Sequence, residues 1–235
     1  MPVSAAPLTV ASDLLRRNSS YRHFLLSRVL SSLAFNGAGV AVGWLVYDQT
    51  RSAFALGMVG LVMFLPLLLF TFVVGQVADR YDRRRIGLTC QLVEAVTVGV
   101  MAIGLWQGWL HTVGIFVGMG VLGSAVAFER PTMAALLPGI VPKTALQRAI
   151  ATSTSFMQAA VIVGPALGGV LYGMGAVVPF AVAAVLFVLA SINVIRIEPP
   201  ETVREREPVT LKTVFAGVDF IRRRPIILGT LSLDL

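Results

Sequence analysis

Gly75-Gln76-Val77-Ala78-Asp79-Arg80-Tyr81-Asp82-Arg83-Arg84-Arg85 separates two long apolar runs, 54–77 and 86–106. Each run has about the 20 apolar residues that cross a hydrocarbon core. The charged stretch between them therefore reads as a tight loop at a membrane surface, held on the cytoplasmic side by its arginines. Within it, Gly75 permits close approach of helices, and Asp79 can accept backbone donors or meet a helix N-terminus.

Working outward, the same pattern recurs. Apolar runs at 25–47, 54–77, 86–106, 110–128, 146–172 and 177–195 predict an all-α, polytopic membrane helix bundle of six transmembrane helices. Composition agrees. The 235 residues are 56% hydrophobic and 13% charged, with a mean hydropathy of +0.82. A soluble domain carries about 25% charged residues, so a water-facing globule and a disordered chain are both excluded. Residues 1–24 read as a polar N-terminal segment without a cleaved signal peptide, and 25–195 as the bundle. Residues 196–224 form a charged loop in which Leu211, Val214, Phe215, Val218 and Ile221 fall at helical spacing. This spacing predicts an amphipathic helix on the membrane surface, the other reading being a charged linker. The apolar run 225–235 has half the length of a span and reads as the truncated start of a seventh helix.

With the N-terminus inside, every Lys and Arg except Arg51 falls on the cytoplasmic side. Topology thus accounts for the net charge of +7, and no nucleic-acid partner is expected, since basic and aromatic residues are not interleaved. The partners expected are the lipid bilayer and a small-molecule substrate. The short outer connections 48–53, 107–109 and 173–176 predict sequential helices as antiparallel neighbours. Cys90, the single cysteine, reads as a buried inert thiol, and His23 and His111 as boundary residues without metal-ligand spacing. Trp44, Trp106 and Trp109 lie near outer helix ends as belt anchors. No nucleophile with a His partner, metal set, cofactor motif or nucleotide loop is present, so an enzyme is not expected.

Polar residues inside a span normally face protein or a water-filled cavity. At about 100° per residue, Arg28, Ser32, Asn36, Gly39, Gly43 and Tyr47 share one side of the first helix. Gln91, Glu94 and Thr97 share an arc of the third, and Thr154, Gln158, Pro165, Gly168, Gly169 and Tyr172 align on the fifth. Glu94 lies about 12 Å along its apolar run. It is either a proton-coupling or substrate-facing group or a structural carboxylate paired with an Arg. Asn36, Gln91 and Gln158 are candidate cavity residues; for Asn36 and Gln158 the alternative is interhelical hydrogen-bond glue. Gly164-Pro165-Ala166-Leu167-Gly168-Gly169 is a hinge or a close packing seam.

The 75–85 stretch resembles the loop signature G-x-L-A-D-R-x-G-R-R-R of the major facilitator superfamily, at the expected place between helices two and three. Gly75, Ala78, Asp79, Arg80, Arg83, Arg84 and Arg85 match, while Val77 and Asp82 depart from it. The resemblance implies that this loop is a conformational gate, with Glu129 and Arg130 as gate partners. Gly164-Pro165-x-x-Gly168-Gly169 is similar to the exporter signature of helix five. Tyr21-Arg22-His23-Phe24-Leu25-Leu26-Ser27-Arg28, the 79–84 loop and Leu211-Lys212-x-x-x-x-Gly217-x-x-Phe220 look like the branch of enterobactin exporters and macrolide efflux proteins. One departure is that 110–128 lacks the Arg that many proton-driven drug exporters carry inside helix four. The family has two six-helix halves, each with a three-plus-three inverted arrangement, around a midplane cavity. The resemblance therefore implies secondary active export of amphipathic, siderophore- or drug-like molecules across the inner membrane. This chain would be the N-terminal half, completed by a C-terminal half or a second copy. The alternative is a non-transporting membrane protein, either a remnant or a modulator of a full transporter.

Overall fold

A computed structural model of the chain describes residues 14–198. The helix expected within 211–224 and the segment 225–235 lie outside the described residues, as do the side chains of Phe72 and Asp79. Six long helices follow one another: α1 (Ser19–Thr50), α2 (Ala53–Arg80), α3 (Arg83–Gln107), α4 (Thr112–Ile140), α5 (Leu146–Met174) and α6 (Val178–Ile195). Each contains a segment long and apolar enough to span a membrane.

Local chemistry sets the ends. Asn18 caps α1 by accepting from the Tyr21 amide, and Ser52 caps α2 through the Ala55 amide. Asp82 caps α3 through the Arg84 amide, and Gly108, at φ 78°, ends α3 in the left-handed region that glycine enters without strain.

Two helices outrun their apolar runs by more than one turn. α1 begins at Ser19, and its first turns are fixed at the end of the bundle that carries the 80–83 turn, here the loop end. There Asn18 Nδ2 donates to the Ile140 carbonyl at 2.8 Å and the Tyr21 hydroxyl to that of Ala149 at 3.1 Å. His23 Nδ1 lies 2.8 Å from Asn193 Oδ1. α4 continues past residue 128 through Glu129, Arg130, Pro131 and Pro138 to Ile140. An apolar-run criterion stops at the charge pair, but Glu129 is buried against protein rather than lipid, so the helix has no reason to end there. An arginine, Arg130, therefore does lie inside helix four, contrary to the departure read from 110–128.

Neighbours in sequence are not the main neighbours in space. α1 packs along α5 and α6, α4 packs along α2 and α3, and α3 packs along α6, while α1–α2, α2–α3, α4–α5 and α5–α6 barely touch. Of the three short outer connections, only the one joining α3 to α4 yields the packed pair that was expected. A short turn fixes two helix ends. In lipid, where apolar burial drives no association, the partner is chosen by small residues that let backbones meet. The contact scheme is unchanged when α1, α2 and α3 are exchanged with α4, α5 and α6. Because three spans reverse direction, the two triplets run in opposite senses, which is the three-plus-three inverted arrangement.

The symmetry-related pairs α1–α5 and α2–α4 both meet at glycine. A Cβ on Gly168 of α5 would lie 2.8 Å from Gly37 Cα of α1, and one on Gly164 would lie 2.8 Å from Asn36 Cβ. In the α2–α4 pair, a Cβ on Gly123 of α4 would fall on the Met63 carbonyl group of α2 and lie 3.1 Å from Met63 Cα. In this conformation the 164–169 stretch is thus a packing seam.

Two apolar clusters fill the bundle. One, toward the end opposite the loop, contains Val42, Leu45, Met101, Ile115, Met119, Phe180 and Phe187. The other, at the loop end, contains Tyr21, Phe24, Met133, Leu136, Ala149 and Val194. The stretches of α1, α3 and α4 that pass between the clusters carry most of the buried polar residues, among them Ser27, Ser31, Gln91, Glu94 and Glu129.

Candidate functional site

The layer between the clusters is built by α1, α3 and α4. Arg28 and Glu94 lie about 14 and 16 Å along their helices from the loop end, and Glu129 a similar distance from the end of α4. All three therefore share one level. Helical spacing places Ser27 and Ser31 one turn apart on α1, and Gln91 and Glu94 nearly one turn apart on α3. Gln91 Nε2 donates to Glu129 Oε1 at 2.9 Å and lies 2.8 Å from Ser27 Oγ. Ser31 Oγ donates to the same Glu129 oxygen at 3.0 Å. These bonds tie three helices through buried groups, where each bond is stronger and each loss more costly than in water.

Glu94 is different. It is 0% exposed, and neither carboxyl oxygen has a hydrogen-bond partner. The charged groups facing it are Glu129 and Arg130 from α4 and Arg28 from α1. Among the described residues, no arginine reaches it within ion-pair distance. The Arg130 guanidinium instead lies 5.3 Å from the centre of the Phe35 ring.

The structure brings Gln91, Glu94 and Glu129 together and leaves the other cavity candidates apart. Asn36 donates to the Ser32 carbonyl of its own helix at 2.7 Å, and Gln158 is exposed on α5. Ser27 and Ser31 escaped the sequence reading because serine is common on any helix face. Their spacing of four residues, in register beside Arg28 and Ser32, was the available signal.

In the loop, Arg83 Nη1 donates to the Ala135 carbonyl of α4 at 2.9 Å, and its Nε lies 3.4 Å from the Ala78 carbonyl of α2. Arg84 Nη1 donates to the Ile197 carbonyl at 2.6 Å. These two arginines fasten the loop to the far ends of α4 and α6. Arg80 and Arg85 are exposed, with Arg85 Nε 3.9 Å from Asp82. Ala78 is half-buried. A Cβ on Gly75 would meet nothing within 4 Å, as is also true of Gly57 and Gly60 on α2 and of Gly169 and Gly173 on α5. α2 and α5 are the least enclosed of the six helices.

Six apolar helices in two inverted triplets, joined by a buried polar layer, define a multi-pass membrane protein with the half-bundle architecture of secondary transporters. Sequence comparison gives the family. Residues 24–234 match the profile of the Major Facilitator Superfamily, and the chain belongs to it. Among curated relatives, it is 24% identical to macrolide efflux protein A of Streptococcus pyogenes over 201 residues, covering 82% of this chain and 50% of that protein. It is 26% identical to the enterobactin exporter EntS of Citrobacter koseri over 240 residues, covering 92% of this chain and 52% of that one. The Escherichia coli EntS is similar at 25%, with the same coverage. The chain thus spans about half the length of the curated relatives it matches.

Proposed function

We propose that this chain forms the N-terminal six-helix half of a secondary active exporter, moving amphipathic small molecules of siderophore or drug type by alternating access. The observation that carries this is the open faces of α2 and α5, whose glycines Gly57, Gly60, Gly75, Gly169 and Gly173 have no neighbour to accommodate. Bare helix backbone on two symmetry-related helices fits the close approach of a second bundle, either a C-terminal half or a second copy. The relatives' names support efflux as the direction.

In this reading the protein lies in the inner membrane with its N-terminus in the cytoplasm. The loop carrying Asp79, Arg80, Arg83, Arg84 and Arg85 acts as the cytoplasmic gate, with Glu129 and Arg130 behind it. The orientation has its own test. Cells carrying Arg51→Cys are expected to react with a membrane-impermeant maleimide, whereas Lys143→Cys should react only after permeabilisation. The reverse pattern would invert the topology.

Transport is tested in vesicles holding this chain together with a C-terminal six-helix half from a relative. A macrolide and a catecholate siderophore serve as substrates under an imposed gradient. Gradient-dependent movement of either one is expected. If neither moves while the two halves co-purify, the transport reading is lost and a modulating, non-transporting role takes its place.

A further inference from the structure

We infer that the end of the bundle opposite the loop holds a binding site for an organic cation, with the rings of Trp44, Tyr47 and Tyr172 as its walls and Asp48 as its counter-charge. Asp48 and Arg51 carry the only formal charges in the three connections at that end, 48–53, 107–109 and 173–176. They stand three residues apart, a spacing at which opposite charges can pair. Among the described residues, no ion pair joins them. Each is turned to an aromatic ring instead. Asp48 Oδ2 accepts from the Tyr172 hydroxyl at 2.9 Å, and the Tyr172 ring stacks on Trp44, with centres 6.4 Å apart and planes at 25°. The Arg51 guanidinium lies 5.8 Å from the centre of the Tyr47 ring. The backbone explains the split, since Arg51 ends α1 in the left-handed region, at φ 50°, and so falls out of helical register with Asp48.

A guanidinium seated on Tyr47 shows the kind of ligand this rim accepts. Ring faces attract cations, quaternary ammonium groups above all, and the attraction grows as water is excluded. Trp44 is 54% exposed and Tyr47 41%, so both have ring surface to offer. Asp48 is exposed as well, and its second oxygen accepts from no described residue. Trp44 and Asp48 lie one helical turn apart on α1, and Tyr172 of α5 touches both. An ammonium group laid on Trp44 thus has the acid beside it, and its apolar body has the rings. A belt anchor needs none of this, because an indole at a membrane surface acts alone. The face of α1 leading to the rim is stepped with small residues: Asn36, Gly39, Gly43 and Tyr47 share one side, and a Cβ on Gly39 would meet nothing within 4 Å. Placing the site at the exit of a transport path rests on the transport reading, whereas the site itself does not.

The test is binding of benzyltrimethylammonium to the purified full chain in lipid nanodiscs, with protein-free discs as the blank and benzyl alcohol as the uncharged counterpart. Asp48→Asn and Trp44→Leu are each expected to weaken binding about tenfold. Arg51→Asn, which suits the left-handed backbone, is expected to tighten it roughly threefold, because the internal cation no longer competes. A misfolded variant cannot bind more tightly, so the opposite signs separate a lost site from a lost fold. Binding is measured in phosphatidylglycerol discs, which carry no ammonium group, and again in phosphatidylcholine discs, and is expected in both. If phosphatidylcholine abolishes it, the occupant is a lipid headgroup and the inference is overturned. It is equally overturned if the three variants bind as wild type does, or if benzyl alcohol binds as tightly as the cation. Cation binding that responds to the variants as expected, in a chain that moves no substrate with its C-terminal half, would sink the transport reading alone.

Discussion

A Gly168→Ala variant is expected to melt far below the wild-type chain. The added methyl would fall on the Gly37 carbonyl group and lie 2.8 Å from Gly37 Cα and 2.9 Å from its carbonyl carbon. These are backbone atoms in the middle of a helix and cannot swing aside. Overpacking typically costs about 1–3 kcal/mol, and a clash with backbone belongs at the upper end of that range or beyond. α5 has few contacts outside α1 to hold it in place. The buried thiol of Cys90 provides the readout, since a thiol-reactive fluorophore reaches it only as the bundle opens. Gly118→Ala is the matched control. There the methyl would approach Met101 Sδ at 2.8 Å, the end of a flexible side chain that can rotate away. Equal melting temperatures for the two variants would show that the α1–α5 crossing is looser than described.

The second large effect is expected from Glu129→Ala, which removes the acceptor shared by Ser31 and Gln91. Gln91 keeps its bond to Ser27, so the loss falls on one amide hydrogen and one hydroxyl in a dry interior. At about 1–3 kcal/mol for each buried group left unsatisfied, a loss of roughly 3 kcal/mol is expected. Glu129→Gln, whose amide oxygen accepts from both donors, should recover most of it. The same thiol melt reads both variants. If Ala and Gln are equally stable, Glu129 contributes through its volume rather than through the network.

The spans were legible because a bilayer imposes a length and an apolar composition that runs of residues display directly. Gln91 and Glu94 were legible for a related reason, since polar residues three apart in an apolar run can only share a face. Helix partners were not legible. The choice of α5 rather than α2 as partner of α1 depends on Gly37 meeting Gly164 and Gly168, residues more than 120 positions away in sequence. The length of α4 was hidden for the opposite reason, because Glu129 looks like a membrane boundary until its acceptor role toward Ser31 and Gln91 is seen. The 164–169 stretch allowed a hinge or a seam, and its close approach to α1 in this conformation could not be read from the sequence.

The contact scheme also bears on how the chain is made. The first three helices to leave the ribosome scarcely touch one another, and their principal partners are α4, α5 and α6. Until α4 has been made, α1, α2 and α3 must therefore each persist in the bilayer as solitary spans. α2, whose apolar segment has a mean hydropathy of 2.5, is well suited to that wait. α3, bearing Gln91 and Glu94, is not, and it gains cover only with its neighbour α4 and later α6. The interval between its insertion and the arrival of α4 is then the moment at which the nascent protein is most open to membrane quality control.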